Sequence, residues 1–423
     1  MLRFILKCCE IIAFLLSVFY CYQSIYLIYG IFHRKKVSIK PATKYHRYAV
    51  LICARNEEEV IGELIHSLNH QNYPKQYLDI FVVADNCTDN TAQVARDAGA
   101  SVYERFNQHL VGKGYALDYV LRLLHADEGR SIYDGFFVFD ADNIVDENFV
   151  NEMNKVFDSG KYHAITCYRN SKNYASNWIS AGYSLWFLRE ARFLNFPRMS
   201  LGSNCAISGT GFLISSEIVC ENNGWPYHLL TEDIEFSVNC ALKGQRIGYC
   251  ENAIIYDEQP TDFKQSWDQR LRWSKGFYQI DAKYGLSLLK GCFNNKNFRF
   301  SCYDMLMTVA PGMLFTSLAL CLGILLMLFS FTQPNHIARI IFRFSLHSLL
   351  TTLTFFYLSL FMYGCATTLC EWNKINATFN QKLIYLFTFP IFLFTYIPIT
   401  LVALVKKVEW KPIKHTSIRK INK

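Results

Sequence analysis

At 423 residues, 51% hydrophobic and 18% charged, the chain has a mean hydropathy of only +0.09 and is too polar to be a bare bundle of membrane helices. It also carries apolar runs that no water-soluble domain exposes, which excludes a purely soluble protein. The formal charge of +8 suits an anionic membrane face or a nucleotide diphosphate, although basic loops beside membrane spans produce the same sign.

The apolar runs lie at Ile11–Phe32, Met305–Phe331, Leu349–Leu369 and Leu383–Val405. Each reaches the ~20 residues that a spanning helix requires, giving four candidate spans. The first is too long for a signal peptide and lacks a small-residue cleavage site, so it reads as an anchor. His33-Arg34-Lys35-Lys36 follows it, and the positive-inside rule then puts the next domain in the cytoplasm. Three further spans would leave the C-terminus outside, whereas Lys406-Lys407 and the basic tail to Lys423 argue for the inside. Pro390 and Pro398 interrupt the last run, so a bent or interfacial segment fits it as well as a span does, and the side of the C-terminus stays open. The organisation expected is an anchor over 1–36, one globular domain over 45–290, a membrane region over 304–405 and a basic tail over 406–423. That describes a multi-pass protein of the cell membrane with a cytoplasmic domain. The 15 cysteines are scattered without a C-x-x-C spacing, as expected for reduced thiols and no cysteine metal site.

The globular domain alternates strands and helices. Tyr48–Cys53 is apolar without alternation, as in a strand covered on both faces, and Val60, Ile61, Leu64, Ile65 and Leu68 follow at helical spacing. Leu78–Ala84 is the next strand, a helix runs from about Thr91 to Ala98, and Ser101–Glu104 is a third strand. A helix near Tyr115–His125 and the strand Gly135–Phe139 complete a βαβαβ order, which implies a parallel sheet with ligands at the carboxyl ends of its strands.

Polar residues stand at each of those ends. Asn56 and Glu57 follow the first strand, Asp85 the second, and Asp140-Ala141-Asp142-Asn143 the strand ending at Phe139. Two carboxylates two residues apart, completed by water and phosphate, describe a Mg²⁺ or Mn²⁺ site on a nucleotide diphosphate. A lone D-x-D is more often a turn and helix cap; the clusters that follow reverse that weighting. Gly112-Lys113-Gly114 lacks the pattern of a P-loop, leaving Lys113 as a phosphate contact only. In Ser208-Gly209-Thr210-Gly211, two glycines bracket a hydroxyl and allow close approach of backbone to a ligand. Thr231-Glu232-Asp233 opens a helix, where a carboxylate serves as a cap or, ahead of Gln269-Arg270-Leu271-Arg272-Trp273, as a general base. Residues 174–197 mix Trp178, Trp186 and Phe187 with Arg189 and Arg192, as in an amphipathic helix at the membrane surface; a core helix is the competing reading. His66 and His70 share a helix face with no third ligand and read as solvated. No nucleic-acid partner is expected.

Asp85, Asp140-Ala141-Asp142, Thr231-Glu232-Asp233 and Gln269-Arg270-Leu271-Arg272-Trp273, in this order and between membrane segments, resemble the membrane-integrated family 2 glycosyltransferases. These include the cellulose, chitin, hyaluronan and poly-N-acetylglucosamine synthases. The resemblance implies an α/β domain of GT-A fold, with a Rossmann-like parallel sheet and flanking transmembrane helices. It also implies a UDP-sugar donor, Mg²⁺ or Mn²⁺, and inverting transfer. By it, Asp85 contacts the donor, Asp142 ligates the metal with Asp140 beside it, and Asp233 deprotonates the acceptor. Gln269, Arg270 and Arg272 hold the diphosphate; Asn56, Glu57 and Lys113 line the donor side; Thr210 and Trp273 face the acceptor. The acceptor loop departs from the Cys-Gly-Ser type of polymerising relatives, and the membrane part is small. The expected function is extension of a polysaccharide, with non-processive transfer to a lipid-linked acceptor as the alternative and a non-catalytic membrane transporter or partner subunit as the reading of another class.

Overall fold

The computed structural model describes residues 11, 14, 15, 17–33, 39–125 and 132–408. Arg34, Lys35, Lys36 and the basic tail from residue 409 lie outside the described residues.

An eight-stranded sheet organises the domain in the order β3-β2-β1-β4-β7-β6-β8-β5. Its first half is parallel: β1 (Tyr48–Ala54), β2 (Leu78–Asp85), β3 (Ser101–Arg105) and β4 (Gly135–Asp140). Both faces of β1 are covered, which is why its sequence does not alternate. Ala49 and Leu51 enter one core cluster while Val50 and Ile52 enter the other, the two-residue period of a strand. The crossovers are α2 (Ile61–Asn69), α3 (Thr91–Asp97) and α4 (Lys113–His125), with α1 being the helix Tyr22–Phe32 that precedes the sheet.

The second half is mixed. β5 (Ile144–Val145) is an edge, and α5 (Phe149–Phe157) leads to β6 (Ala164–Ser171). α6 (Trp178–Glu190) passes through a π-helical turn, Ala191–Asn195, into α7 (Phe196–Leu201). β7 (Phe212–Ser215) runs antiparallel to both β4 and β6. After α8 (Ser216–Glu221) and α9 (Glu232–Lys243), β8 (Ile247–Asp257) pairs parallel with β6. α6 corrects the expectation of a surface amphipathic helix: Ile179 to Leu185, Phe187 and Leu188 are all buried, so apolar side chains occur all round it.

α10 (Phe263–Asn294) and α11 (Arg299–Val309) join this domain to α12 (Gly312–Ser330), α13 (Asn335–Cys370), α14 (Phe379–Phe394) and α15 (Tyr396–Val405). Among the described residues three helices are apolar and long enough to cross a membrane: Gly312–Ser330, Asn335–Cys370 and the bent helix Phe379–Val405. The expected run Met305–Phe331 is cut at Ala310-Pro311, where proline removes a helical donor. Asp304 on its domain side is fully buried against Arg198, at 2.7 and 2.8 Å, and accepts from Tyr22 and Tyr26 of α1 at 2.9 Å each. A carboxylate tied in this way belongs to the domain and not to lipid.

Candidate active site

The site assembles where the two halves of the sheet meet. Asp140 ends β4, and its N–H donates to Thr210 Oγ1 at 2.9 Å. That hydroxyl donates in turn to Asn143 Oδ1, and Thr210 is 2% exposed. Thr210 was expected to face the acceptor; it braces the Asp140 turn instead, because both of its hydrogen-bonding directions are used inside the fold. Lys113, the first residue of α4, sets its Nζ 2.5 Å from Asp140 Oδ1 and 2.6 Å from the Gly209 carbonyl. Gly209 has φ +77, and a Cβ there would meet Asp233 Oδ2 at 3.8 Å, with Asp140 Oδ2 and a terminal Arg169 nitrogen at 3.9 Å. Charges from β4, β6 and α9 therefore converge on one glycine, whose missing side chain leaves the space between them open.

Burial shapes the titration of these groups. It raises the Asp233 carboxyl, against the Ile234 backbone N–H and Lys113, which favour the ionised form. Glu232 is raised to about 7 by burial and then by Asp233, with Lys113 and Arg272 opposing. Glu57 is raised to about 8 by burial and by the nearby charges of Asp140, Asp89 and Glu258. For Lys113, burial would lower the pKa, and Asp140 and Glu232 outweigh it. Two neighbouring carboxyls raised by burial in one cleft are a feature that catalytic sites share.

Other expected residues take different places. Asp142, expected as the principal metal ligand, is 5% exposed and interacts with Asp257; burial and then Asp257 push its carboxyl well up. Asp257 is held down because Arg169 overcomes the effect of burial. Asp85 is buried at the end of β2, where Arg105 holds it at 2.5 Å. Asn56, at φ 57, bonds to Thr88 across the cleft rim, its Oδ1 accepting from the Thr88 N–H at 2.8 Å.

The five-residue motif on α10 divides. Arg272 is half-buried, with Glu232, Asp140 and Asp233 opposing the lowering effect of burial. Among the described residues its Nε and the Gln269 Oε1 are buried without a hydrogen-bond partner, so the first suits an acceptor such as a phosphate oxygen and the second a hydroxyl or N–H. Trp273 packs edge-on to Tyr183 and Phe187, with centroids 5.7 and 6.2 Å away. Arg270 departs from expectation: it is 0% exposed and donates to the Phe392 carbonyl at 3.1 Å and to Thr395 Oγ1 at 2.5 Å. It grips the bent helix Phe379–Val405 and not the cluster around Gly209.

Sequence reasoning missed Arg169 and Asp257. Arg169 Nε donates to Asp257 Oδ2 at 2.8 Å, NH1 donates to the Ser208 carbonyl at 2.9 Å, and the guanidinium lies 3.8 Å from the Phe187 ring centre. Asp257 ends β8 as Asp85 and Asp140 end their strands, so the same rule would have found it had β8 been recognised.

Among the described residues no three His, Cys, Asp or Glu side chains form a metal cage. Asp140, with 38% of its side chain exposed and the Lys113 ammonium already on one oxygen, offers one accessible carboxylate at a spot that binds positive charge. That fits a hard cation held by one or two carboxylates together with diphosphate oxygens.

The mixed sheet, the acidic strand ends and the attached membrane helices define a GT-A transferase architecture. Residues 46–276 match the family described as "Glycosyltransferase like family 2", and the chain belongs to that family. It is 26% identical over 254 residues to the beta-monoglucosyldiacylglycerol synthase of Synechocystis sp., covering 57% of this chain and 50% of that protein. Against the poly-beta-1,6-N-acetyl-D-glucosamine synthase of Staphylococcus aureus it is 23% identical over 282 residues, 65% of this chain and 66% of the other. The match thus spans about half the length of the Synechocystis relative. The mannosyltransferase of Pyrobaculum calidifontis, solved with GDP-Man and Mn²⁺, superposes with a TM-score of 0.58 over 94% of this chain and 99% of that one at 17% identity, a likeness of fold.

Proposed function

We propose that this enzyme transfers a sugar from a UDP-sugar to an acceptor at the membrane by a single displacement that inverts the anomeric centre. The observation that carries this reading is the convergence of Asp140, Asp233 and Arg169 around Gly209. Asp233 takes the proton of the acceptor hydroxyl as the new bond forms to the anomeric carbon and the bond to UDP breaks. Arg272 and Lys113 face the negative charge that gathers on the leaving diphosphate. Asp140, with Asp142 behind it, would hold a Mg²⁺ or Mn²⁺ ion, which when bound neutralises diphosphate charge. Asn56, Glu57 and Asp85 stand on the nucleotide side, and Gln269 offers its buried oxygen to a hydroxyl.

The acceptor favoured is a growing polysaccharide, because in an aromatic set the half-buried Trp273, held edge-on by the buried Tyr183 and Phe187, leaves part of its ring for a sugar's apolar face to rest on. A lipid-linked acceptor is the second reading: α10, which carries this set's Trp273, also packs on the helix Phe379–Val405 and so adjoins the membrane. Purified protein incubated with a panel of UDP-sugars and Mn²⁺ should release UDP with one of them, and product size separates the acceptors. Absence of UDP release with every donor and either acceptor would reject the enzyme reading.

A further inference from the structure

The helix Phe379–Val405 has 27 residues, about 40 Å at 1.5 Å per residue, and could cross a bilayer by length alone. Its contacts place it elsewhere. Near its start, Gln381 Nε2 and the Tyr385 hydroxyl both donate to the Ala175 carbonyl at 3.4 Å, just ahead of α6. At its middle the Phe392 ring lies on Gly182 of α6, where a Cβ would fall 2.4 Å away, and Arg270 of α10 holds Phe392 and Thr395. At its end the Tyr278 hydroxyl donates to the Thr400 carbonyl at 3.1 Å and Lys275 Nζ to the Ala403 carbonyl at 3.0 Å, again from α10. A helix held by the catalytic domain at its beginning, middle and end lies along that domain's face. A crossing helix would leave the domain after its first turns. The hairpin α12–α13 does so: its far half packs on itself, with a Cβ at Gly323 reaching Leu349 at 3.7 Å and Phe331 5.8 Å from Phe342.

Charge points the same way. The part of α10 lining α15 carries Lys275, whose ammonium reaches the Ala403 carbonyl at 3.0 Å, and a charge of this kind is excluded from the hydrocarbon core. On the other side of the bent helix, Leu383, Ile384, Phe387 and Ile391 form an exposed apolar stripe at helical spacing. Lys406 and Lys407 follow directly, suited to anionic headgroups.

We propose that Phe379–Val405 is a membrane-surface helix, clamped beneath the catalytic domain with its Leu383–Ile391 stripe in the lipid interface. The chain after Val405 then lies on the same side as the catalytic domain, because the two helices of the hairpin bring it back. The test uses the full chain with one epitope tag at the exposed Ser159-Gly160 turn of the catalytic domain, and, separately, one after Val408 or after Lys423. Tag accessibility to antibody and protease is compared in intact cells stripped of wall, in inverted membrane vesicles and after detergent. The expected result is that all tags are protected in the first, exposed in the second and therefore on one side. A C-terminal tag on the side opposite the Ser159-Gly160 tag, at both positions, overturns the proposal and makes Phe379–Val405 a true span.

Discussion

The strand ends of the sheet and the start of α9 hold their charges differently. In the parallel half each strand-end carboxylate has a cation of its own: Asp85 has Arg105 and Asp140 has Lys113, both at 2.5 Å. Where the mixed half leads into α9, Glu232 and Asp233 close no ion pair among the described residues and are raised by burial. Under the proposed function, the parallel half would exchange one positive partner for another when a nucleotide diphosphate and its cation bind, and the raised carboxyls of the α9 side would supply the proton affinity that an attacking hydroxyl requires.

The sharpest way to break this division is Asp233→Asn. Sugar transfer should fall by ~10²–10⁴ while UDP-sugar affinity, followed by calorimetry, stays near the wild-type value. Lost affinity with an unchanged turnover would move Asp233 to the binding side. The opposite effect is expected of Lys113→Ala. Loss of a charged hydrogen bond worth about 1.5–3 kcal/mol corresponds to roughly a ten- to hundredfold weaker donor interaction, with less effect on the turnover of saturated enzyme. Steady-state kinetics over a range of donor concentrations separate the two cases.

Trp273→Ala tests the acceptor wall alone. If a polysaccharide rests on that ring, the variant should make shorter products while still releasing UDP, as read by product sizing; an unchanged length distribution removes Trp273 from acceptor binding. The smallest effect concerns pH. Asp233 must be ionised to act, and its pKa is raised, so the acid limb of kcat/KM should lie above the ordinary aspartate range and activity should fall as pH drops through it. Lys113 favours the ionised form of Asp233, so Lys113→Ala should move that limb to higher pH. A limb that stays in place would separate Lys113 from the titration of Asp233.

The same division separates what the sequence made legible from what it hid. Tyr48–Cys53, Leu78–Ala84, Ser101–Glu104 and Gly135–Phe139 were readable because burial on both faces produces apolar runs, and polar residues then mark where each run stops. β7 has only four residues, and β6 and β8 carry Arg169, Glu251 and Asn252 within them, so neither length nor pattern announced a strand. Asp257 was lost with β8. Thr210 looked like an exposed hydroxyl between glycines, since nothing local reveals that Asn143 and the Asp140 N–H would claim it. Arg270 and Arg272 are two residues apart and so about 200° apart on a helix of 3.6 residues per turn, which sends them to opposite faces. The family motif made them look like one pair, although the periodicity already separated them.

Arg270 also bears on whether the catalytic domain can exist by itself. Its guanidinium is closed in by Phe392, Thr395 and Tyr396, all supplied by the bent C-terminal helix. A chain ending after Asn294 would keep the arginine and lose those partners, along with the Phe392 ring that covers Gly182. Truncation would also open to water the apolar surface that this helix covers, including Leu271 against Ile399 and Ala403 and Tyr183 against Phe392. Gln269 and Arg272 flank that arginine on the same turn of helix, so the loss would fall on the active site first. The enzyme domain is not an autonomous module resting on a membrane anchor; part of its interior belongs to the membrane helices.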